Sequence, residues 1–296
     1  LDLNLASTVY TLTMQFAEHP LAGLGSYFTL QGQDDVQALP MRPVQPLVSL
    51  PVSYETPGYL AHGVLMVGGS FTDQYDFDPV IGRMVTETTY VALEPEYTST
   101  TFYPIFPAVV NRLLSFQSVP SENLVVVPAQ YRSIDGNSGI ERLYSSLSLE
   151  VYYAPGNVSE FMPPSIWDVQ MFHGPEHLLH IRALVEDNLA DVERVVALYR
   201  HLGYNPLRAT GGTWELLEMP YDPLTGWAEG VIPYYYGQVE FFVQAVDGSG
   251  NTSMVLDNGT TFVRYLDLEA YPSAADDEYT IDDDTILGPT APGVLE

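Results

Sequence analysis

Four oxygen-bearing side chains stand in two turn-forming stretches late in the chain: Asp187 and Asp191 in one, Asp247 and Asn251 in the other. Hard cations such as Ca²⁺ take several such oxygens at once. These four, with Glu186 beside the first pair, are therefore the candidate metal ligands. Neither stretch has EF-hand spacing, and Asp/Asn/Gly turns form without any ion. A bound ion would be structural, and no cofactor is required. The one histidine cluster is His173-Gly174-Pro175-Glu176-His177-Leu178-Leu179-His180. A hairpin turning at Gly174-Pro175 would bring His173, His177 and Glu176 together as a zinc-like set, but ordinary surface hairpins give the same spacing.

Catalytic constellations do not emerge. Ser70 follows Gly68-Gly69 but lacks a G-x-S-x-G elbow and any identifiable His-Asp partners; the two glycines read as a turn. Glycoside hydrolysis needs two opposed carboxylates, and no spacing among the 38 acidic residues singles out a pair. The absence of cysteine removes disulfides, thiolate chemistry and Cys-ligated metals together. Tyr234-Tyr235-Tyr236 could stack on a sugar or contact a subunit, although strand alternation would turn one or two rings into a core. No catalytic residue is expected.

Composition narrows the partners. Of 296 residues, 46% are hydrophobic and the mean hydropathy is +0.02, enough for a folded chain with two cores. Only 16% are charged, below the usual quarter or so. All ten basic residues are arginine, and the net charge is -28. Nucleic acid and anionic membranes should be repelled by such a chain. No apolar run reaches the ~18 residues of a membrane helix. Leu1 rather than Met opens the chain, which fits removal of a leader. Asn157, Asn251 and Asn258 lie in N-x-Ser/Thr sequons, the candidate glycosylation sites of an extracellular protein.

The elements that would carry these residues are strands. Val239 to Asn251 alternates over Val239, Phe241, Val243 and Ala245 before breaking at Asp247-Gly248-Ser249-Gly250-Asn251, which predicts a half-buried strand ending in a tight turn. Val9 to Phe16, Tyr27 to Leu30, Thr88 to Leu93, Leu124 to Val127 and Leu143 to Tyr153 read the same way. Prolines between Leu39 and Pro51 predict an edge or an extended crossing. Leu189 to Arg200 fits both a helical stripe and a strand; its β-branched density and its neighbours decide for strand. Asp222-Pro223-Leu224-Thr225-Gly226-Trp227 predicts a hairpin turn. The expected fold is all-β, two tandem β-sandwich domains over 1–160 and 161–266, with an acidic tail or linker over 267–296. Ala154-Pro155-Gly156-Asn157 to Met162-Pro163-Pro164 marks the boundary.

Residues 164–265 resemble the immunoglobulin-like or fibronectin-type modules appended to large secreted prokaryotic proteins. Pro163-Pro164, Val185 to Asn188, Val195 to Arg200, Asp222 to Trp227 and Phe242 to Asn251 carry the likeness. The first half resembles, more faintly, the propeptide-like β-domain of gingipain-type cysteine peptidases. Leu39-Pro40 to Leu50-Pro51, Phe102-Tyr103-Pro104, Val127 to Tyr131 and Arg142 to Tyr153 carry that impression. The resemblance implies a scaffold without the intervening His/Cys catalytic domain.

The expected function is that of a non-catalytic extracellular structural protein, a cell-surface or filament-forming subunit that assembles with itself through strand edges. Leu3 to Phe16 and Thr280 to Leu287 are the candidate donor segments. A peptidase-associated pro-domain plus an immunoglobulin-like module, inhibiting or chaperoning a secreted cysteine peptidase, is the alternative, and a carbohydrate-binding or adhesion module the third.

Overall fold

The computed structural model describes residues 5–83, 96–113, 121–135, 138–175, 178–203, 211–233 and 237–266. The segment Thr88 to Leu93, the tyrosine run 234–236 and the acidic tail lie outside the described residues. The first half contributes β1 (Ala6–Thr13), β2 (Phe16–Leu21), β3 (Gly25–Leu30), β4 (Val36–Gln37), β5 (Gln45–Pro46), β6 (Val48–Pro51), β7 (Tyr59–Phe77), β8 (Ala108–Leu113), β9 (Ser121–Val126), β10 (Ala129–Asp135) and β11 (Ser138–Pro155). The second half contributes β12 (Ser165–Gly174), β13 (Leu178–Glu186), β14 (Val192–Gly203), β15 (Gly211–Glu218), β16 (Tyr221–Asp222), β17 (Trp227–Ile232), β18 (Gly237–Asp247), β19 (Thr252–Val255) and β20 (Phe262–Leu266). The fold is all-β, as the period-two patterning predicts, and β14 resolves the ambiguous segment as a strand.

Each half is two layers over its own core. In the first, Leu147, Leu149, Val151 and Tyr153 point from one face of β11 onto Val48, Leu124 and Val126 of the β6-β9-β8 sheet. In the second, Leu179, Ile181, Ala183 and Val185 of β13 meet Val195 and Ala197 of β14 and Val239, Phe241, Val243 and Ala245 of β18. Alternation sorts these residues onto inner faces, as in other face-packed sheets. The proline-bearing stretch supplies the short strand β5 and the edge strand β6.

The halves share a sheet. A nine-stranded sheet runs β1-β11-β7-β15-β14-β18-β19, with β10 joined to β11 and β20 to β18. Its link is β7, nineteen residues long, which pairs with β11 along one side and with β15 at Gly69 to Thr72 on the other. Gly68 and Gly69, expected in a turn, therefore lie inside a strand. A β-carbon on Gly69 would stand 2.9 Å from the Ser146 carbonyl oxygen, so the crowding at this crossing explains the small residue.

Before Gly69, the outer edge of β7 has few strand partners, and side chains take their place. Glu122 accepts the Ala61 N–H at 2.9 Å while Arg112 donates to the Ala61 carbonyl at 3.0 Å. Thr252 Oγ1 accepts the Val64 N–H at 3.3 Å. Gln244 closes the series with both ends of its amide: Oε1 accepts from Met66 N at 3.0 Å, and Nε2 donates to Met66 O at 2.8 Å.

Gln244 reaches β7 because the second face of β18 is covered. Phe242 joins the first-half core, and Val246 packs with Leu65, Tyr152 and Val196. All eleven residues of β18 are buried. The expectation of a half-buried strand is thus corrected: the alternation is real, but the face opposite Val239, Phe241, Val243 and Ala245 meets the first half rather than water.

Replacing Gln244 with leucine should orphan two buried main-chain groups at Met66, each worth about 1–3 kcal/mol. Denaturant unfolding of Gln244→Leu is expected to show a loss of roughly 2–6 kcal/mol. A loss below about 0.5 kcal/mol would show that water satisfies these groups instead.

Candidate functional site

Of the four candidate calcium ligands, Asp187, Asp247 and Asn251 make side-chain hydrogen bonds within their own loops, while Asp187 Oδ2 is buried without a partner. Asp187 Oδ1 accepts Leu189 N at 3.0 Å and Ala190 N at 2.6 Å. Asp247 Oδ1 accepts Ser249 N and Asn251 N, each at 2.8 Å, and its Oδ2 accepts Asn251 Nδ2 at 2.9 Å. The Asp191 carbonyl accepts Gly248 N at 2.8 Å, which ties the two loops together through main chain. Among the described residues no three His, Asp or Glu side chains converge as a metal site would require. The turn at Asp247 to Asn251 has the hydrogen bonds of an Asx-type turn.

Sequence reasoning missed the partners of that turn. Asn251 Nδ2 also donates to the Glu160 carboxylate, and Asn251 Oδ1 lies 3.3 Å from Nδ1 of His62. The His62 ring stacks on Phe161 at 5.1 Å. The turn therefore clasps both β7 and the connection between the halves. Burial pushes the Asp247 carboxyl up to about 6 against its hydrogen bonds, and nearby Glu160 adds to the rise. Burial likewise lowers the His62 pKa.

Of the sequon residues, Asn157 and Asn258 are exposed, whereas Asn251 is buried with its amide nitrogen engaged. A glycan on Asn251 would have to precede closure of the turn. The histidine cluster forms the expected hairpin, with Gly174 opposite Leu178, but Glu176 and His177 lie outside the described residues. His173 accepts from Arg264 Nε at 3.1 Å, and His180 contacts Glu229 at 2.9 Å. The two rings serve separate contacts. Ser70 lies in β7 with its hydroxyl 3.1 Å from that of Thr213, a cross-strand pair at the β7–β15 junction.

A cleft of about 670 Å³ opens on one face of the shared sheet. Period two brings Asp73 of β7, Arg132 of β10, Arg142 of β11, Arg200 of β14, and Gln238 and Glu240 of β18 onto it. Three of the chain's ten basic residues thus meet at one place. Arg142 is held by Asp73 at 2.8 and 3.0 Å, and Arg200 by Glu240. Aromatic rings separate the cations. Arg142 lies 3.9 Å from the centroid of Phe71 and 4.4 Å from that of Phe102. Arg200 lies over Phe71 at 4.6 Å, and Arg132 over Phe102 at 5.3 Å. The ladder reads Arg132, Phe102, Arg142, Phe71, Arg200, a series of cation–π contacts. Burial works against the charge of Arg142, but its bond to Asp73 outweighs this and raises its pKa. Arg132 has no such partner, and burial followed by the charge of Arg142 lowers its pKa.

Gly212 makes the ladder fit. A β-carbon there would lie 2.5 Å from Arg200 Nη1 and 3.3 Å from the Phe71 ring. A sequence signal existed for the cleft: in Gln130-x-Arg132 and Ile140-x-Arg142-x-Tyr144, charged residues occupy the parity of a core face.

The edges of the sheets differ in accessibility to another strand. Among the described residues β1 ends the nine-stranded sheet, paired to β11 over eight residues without a register shift. Of Leu3 to Phe16, expected as a donor segment, Ala6–Thr13 form β1 and pair with β11 of the same chain. The second proposed donor, Thr280 to Leu287, lies outside the described residues.

No protein-family model matches the chain, and no curated protein matches it. Among solved structures it is similar to the complex of Porphyromonas gingivalis RgpB pro- and mature domains, with 18% identity and a TM-score of 0.37, over 50% of this chain and 80% of that one. At that distance nothing about activity or partners passes to this chain. Among the described residues no helix is long and apolar enough to cross a membrane.

The Asp247 turn has a pH signature. The folded carboxyl holds its proton to about 6, whereas an unfolded aspartate releases it near 3.9. Its contribution is therefore present in full below about pH 4 and lost as pH rises through about 6. Relative to Asp247→Asn, the wild type should lose roughly 1–2 kcal/mol of stability between pH 4 and 7. Parallel denaturation curves at the two pH values would check this; an unchanged difference would mean that Asp247 titrates normally.

Proposed function

We propose that this chain is a non-catalytic extracellular structural module that assembles with further copies of itself by strand addition at β1. The observation that carries the reading is the character of that edge. Ala6-Ser7-Thr8-Val9-Tyr10-Thr11-Leu12-Thr13 contains no charge, no proline and no bulge. Proteins ordinarily blunt long edge strands with such devices because exposed main-chain groups invite pairing.

Among the described residues several other edges are blunted. β12 carries a register shift at Ile166/Asp168 and a charge at Asp168, β8 carries Arg112, β6 ends in Pro51, and β16 is two residues long. In a chain of net charge -28, an uncharged edge is also where two copies repel each other least.

The form of the second half supports a cohesive module. One sheet runs β12-β13-β17-β16, and β14-β18-β19 lie together in the other with β15 outside β14. In chain order this resembles the A-B-E-D and C-F-G sheets of immunoglobulin-like sandwiches, which supports the reading of the second half as such a module. Secretion is consistent with the sequons at exposed Asn157 and Asn258.

Sedimentation velocity of the full chain should show concentration-dependent association that strengthens as salt screens the net charge. Val9, 54% exposed on β1, offers the means to block it. Val9→Lys should shift the association midpoint at least about tenfold while leaving circular dichroism and thermal unfolding unchanged. Wild-type protein that stays monomeric at every salt concentration, or a lysine variant that assembles normally, would refute assembly through β1.

A further inference from the structure

We propose that the arginine-lined cleft is a binding site for an acylated amino-acid carboxylate, the chemistry found at the C-terminal end of a peptide. The inference is independent of assembly at β1. Three side chains of the cleft hold a buried atom without a hydrogen-bond partner, Arg132 Nε, Gln238 Oε1 and Trp214 Nε1; the first two are of complementary kinds and define the ligand.

The first is a cation. Asp73 takes Arg142, and Glu240 takes Arg200. Arg132 remains, and its buried Nε has no hydrogen-bond partner. Counting these five side chains, the cleft carries one positive charge in a chain whose net charge is -28. A guanidinium held against an aromatic face and not engaged by an acid of the protein is suited to an incoming carboxylate, which it can bind through two parallel hydrogen bonds.

The second is an acceptor. Gln238, only 7% exposed, lines the same cleft, and its Oε1 is buried without a partner. Buried acceptors are rarely left unpaired, and this one calls for an N–H or O–H from a ligand. Between and around these groups stand Phe102, Phe106, Met254 and Val263, walls for an apolar body. At about 670 Å³ the cleft is of the size that encloses small organic ligands. A carboxylate, an amide N–H and an apolar side chain are what one acylated residue presents.

Inorganic anions lack the apolar body, and neutral sugars lack the charge. The charge of Arg132 and the acceptor on Gln238 together select the peptide-like acid.

The probe is N-acetyl-phenylalanine, with N-acetyl-phenylalaninamide as the partner that keeps the ring and amide N–H but loses the charge. Isothermal titration of the full chain should show saturable one-to-one binding of the acid, at least about tenfold tighter than the amide, as expected for a charge-assisted bond. Arg132→Gln should bring the acid down to the level of the amide. Gln238→Leu should weaken both ligands alike. Thermal unfolding of each variant shows whether its fold survives, and the acid–amide comparison on the wild type decides the matter even if a variant fails to fold. Equal binding of acid and amide, no binding of the acid at tens of millimolar, or an unchanged affinity in a folded Arg132→Gln would overturn the assignment.

Discussion

Unpaired main chain along the outer edge of β7 is the constraint around which this molecule is arranged. A buried N–H or C=O without a partner costs more than a hydrogen bond returns, so a strand of nineteen residues cannot cross between two cores with one side bare. β15 covers four residues, Gly69 to Thr72. Glu122 and Arg112 cover Ala61, Thr252 covers Val64, and Gln244 covers Met66. Two of these partners come from the first half and two from the second. The edge is therefore complete only when both halves are folded against each other.

That arrangement also explains the cleft. Pairing of β7 with β15 places the face of β11 that carries Arg142 and Tyr144 beside the face of β18 that carries Gln238, Glu240 and Phe242. Arginines from β10, β11 and β14 arrive on one surface with rings between them, and acids from β7 and β18 neutralise two of the three. The clasp of Asn251, Asp247, Glu160 and His62 holds the same junction from the far end of β18.

Local patterning made much of this legible. The strand from Val239, the β14 strand with its dense valines, and the hairpin at Asp222 to Trp227 all rest on neighbouring residues. In that hairpin Asp222 accepts Leu224 N at 3.0 Å and Thr225 Oγ1 at 2.9 Å, while Gly226 takes a φ of 74°. What escaped was relational. Alternation tells that Val239 and Gln238 point to opposite sides, but not that both sides are covered. Glu240 and Gln244 read as the wet face of a strand because their partners, Arg200 and Met66, are 40 and 178 residues away. Asp187 and Asp247 accept main-chain N–H groups of their own turns, a use that the composition of an acidic loop does not distinguish from ion binding.

Amide hydrogen exchange at Ala61, Val64 and Met66 tests the shared sheet most directly, because no neighbouring strand protects these three N–H groups on the outer edge of β7. If side chains from the two halves complete that edge, all three should exchange as slowly as the core amides of β11, and only through unfolding of the whole chain. Fast exchange at Val64 and Met66, with β11 still protected, would mean that the halves are separate bodies and that the cleft between their strands is not a lasting feature.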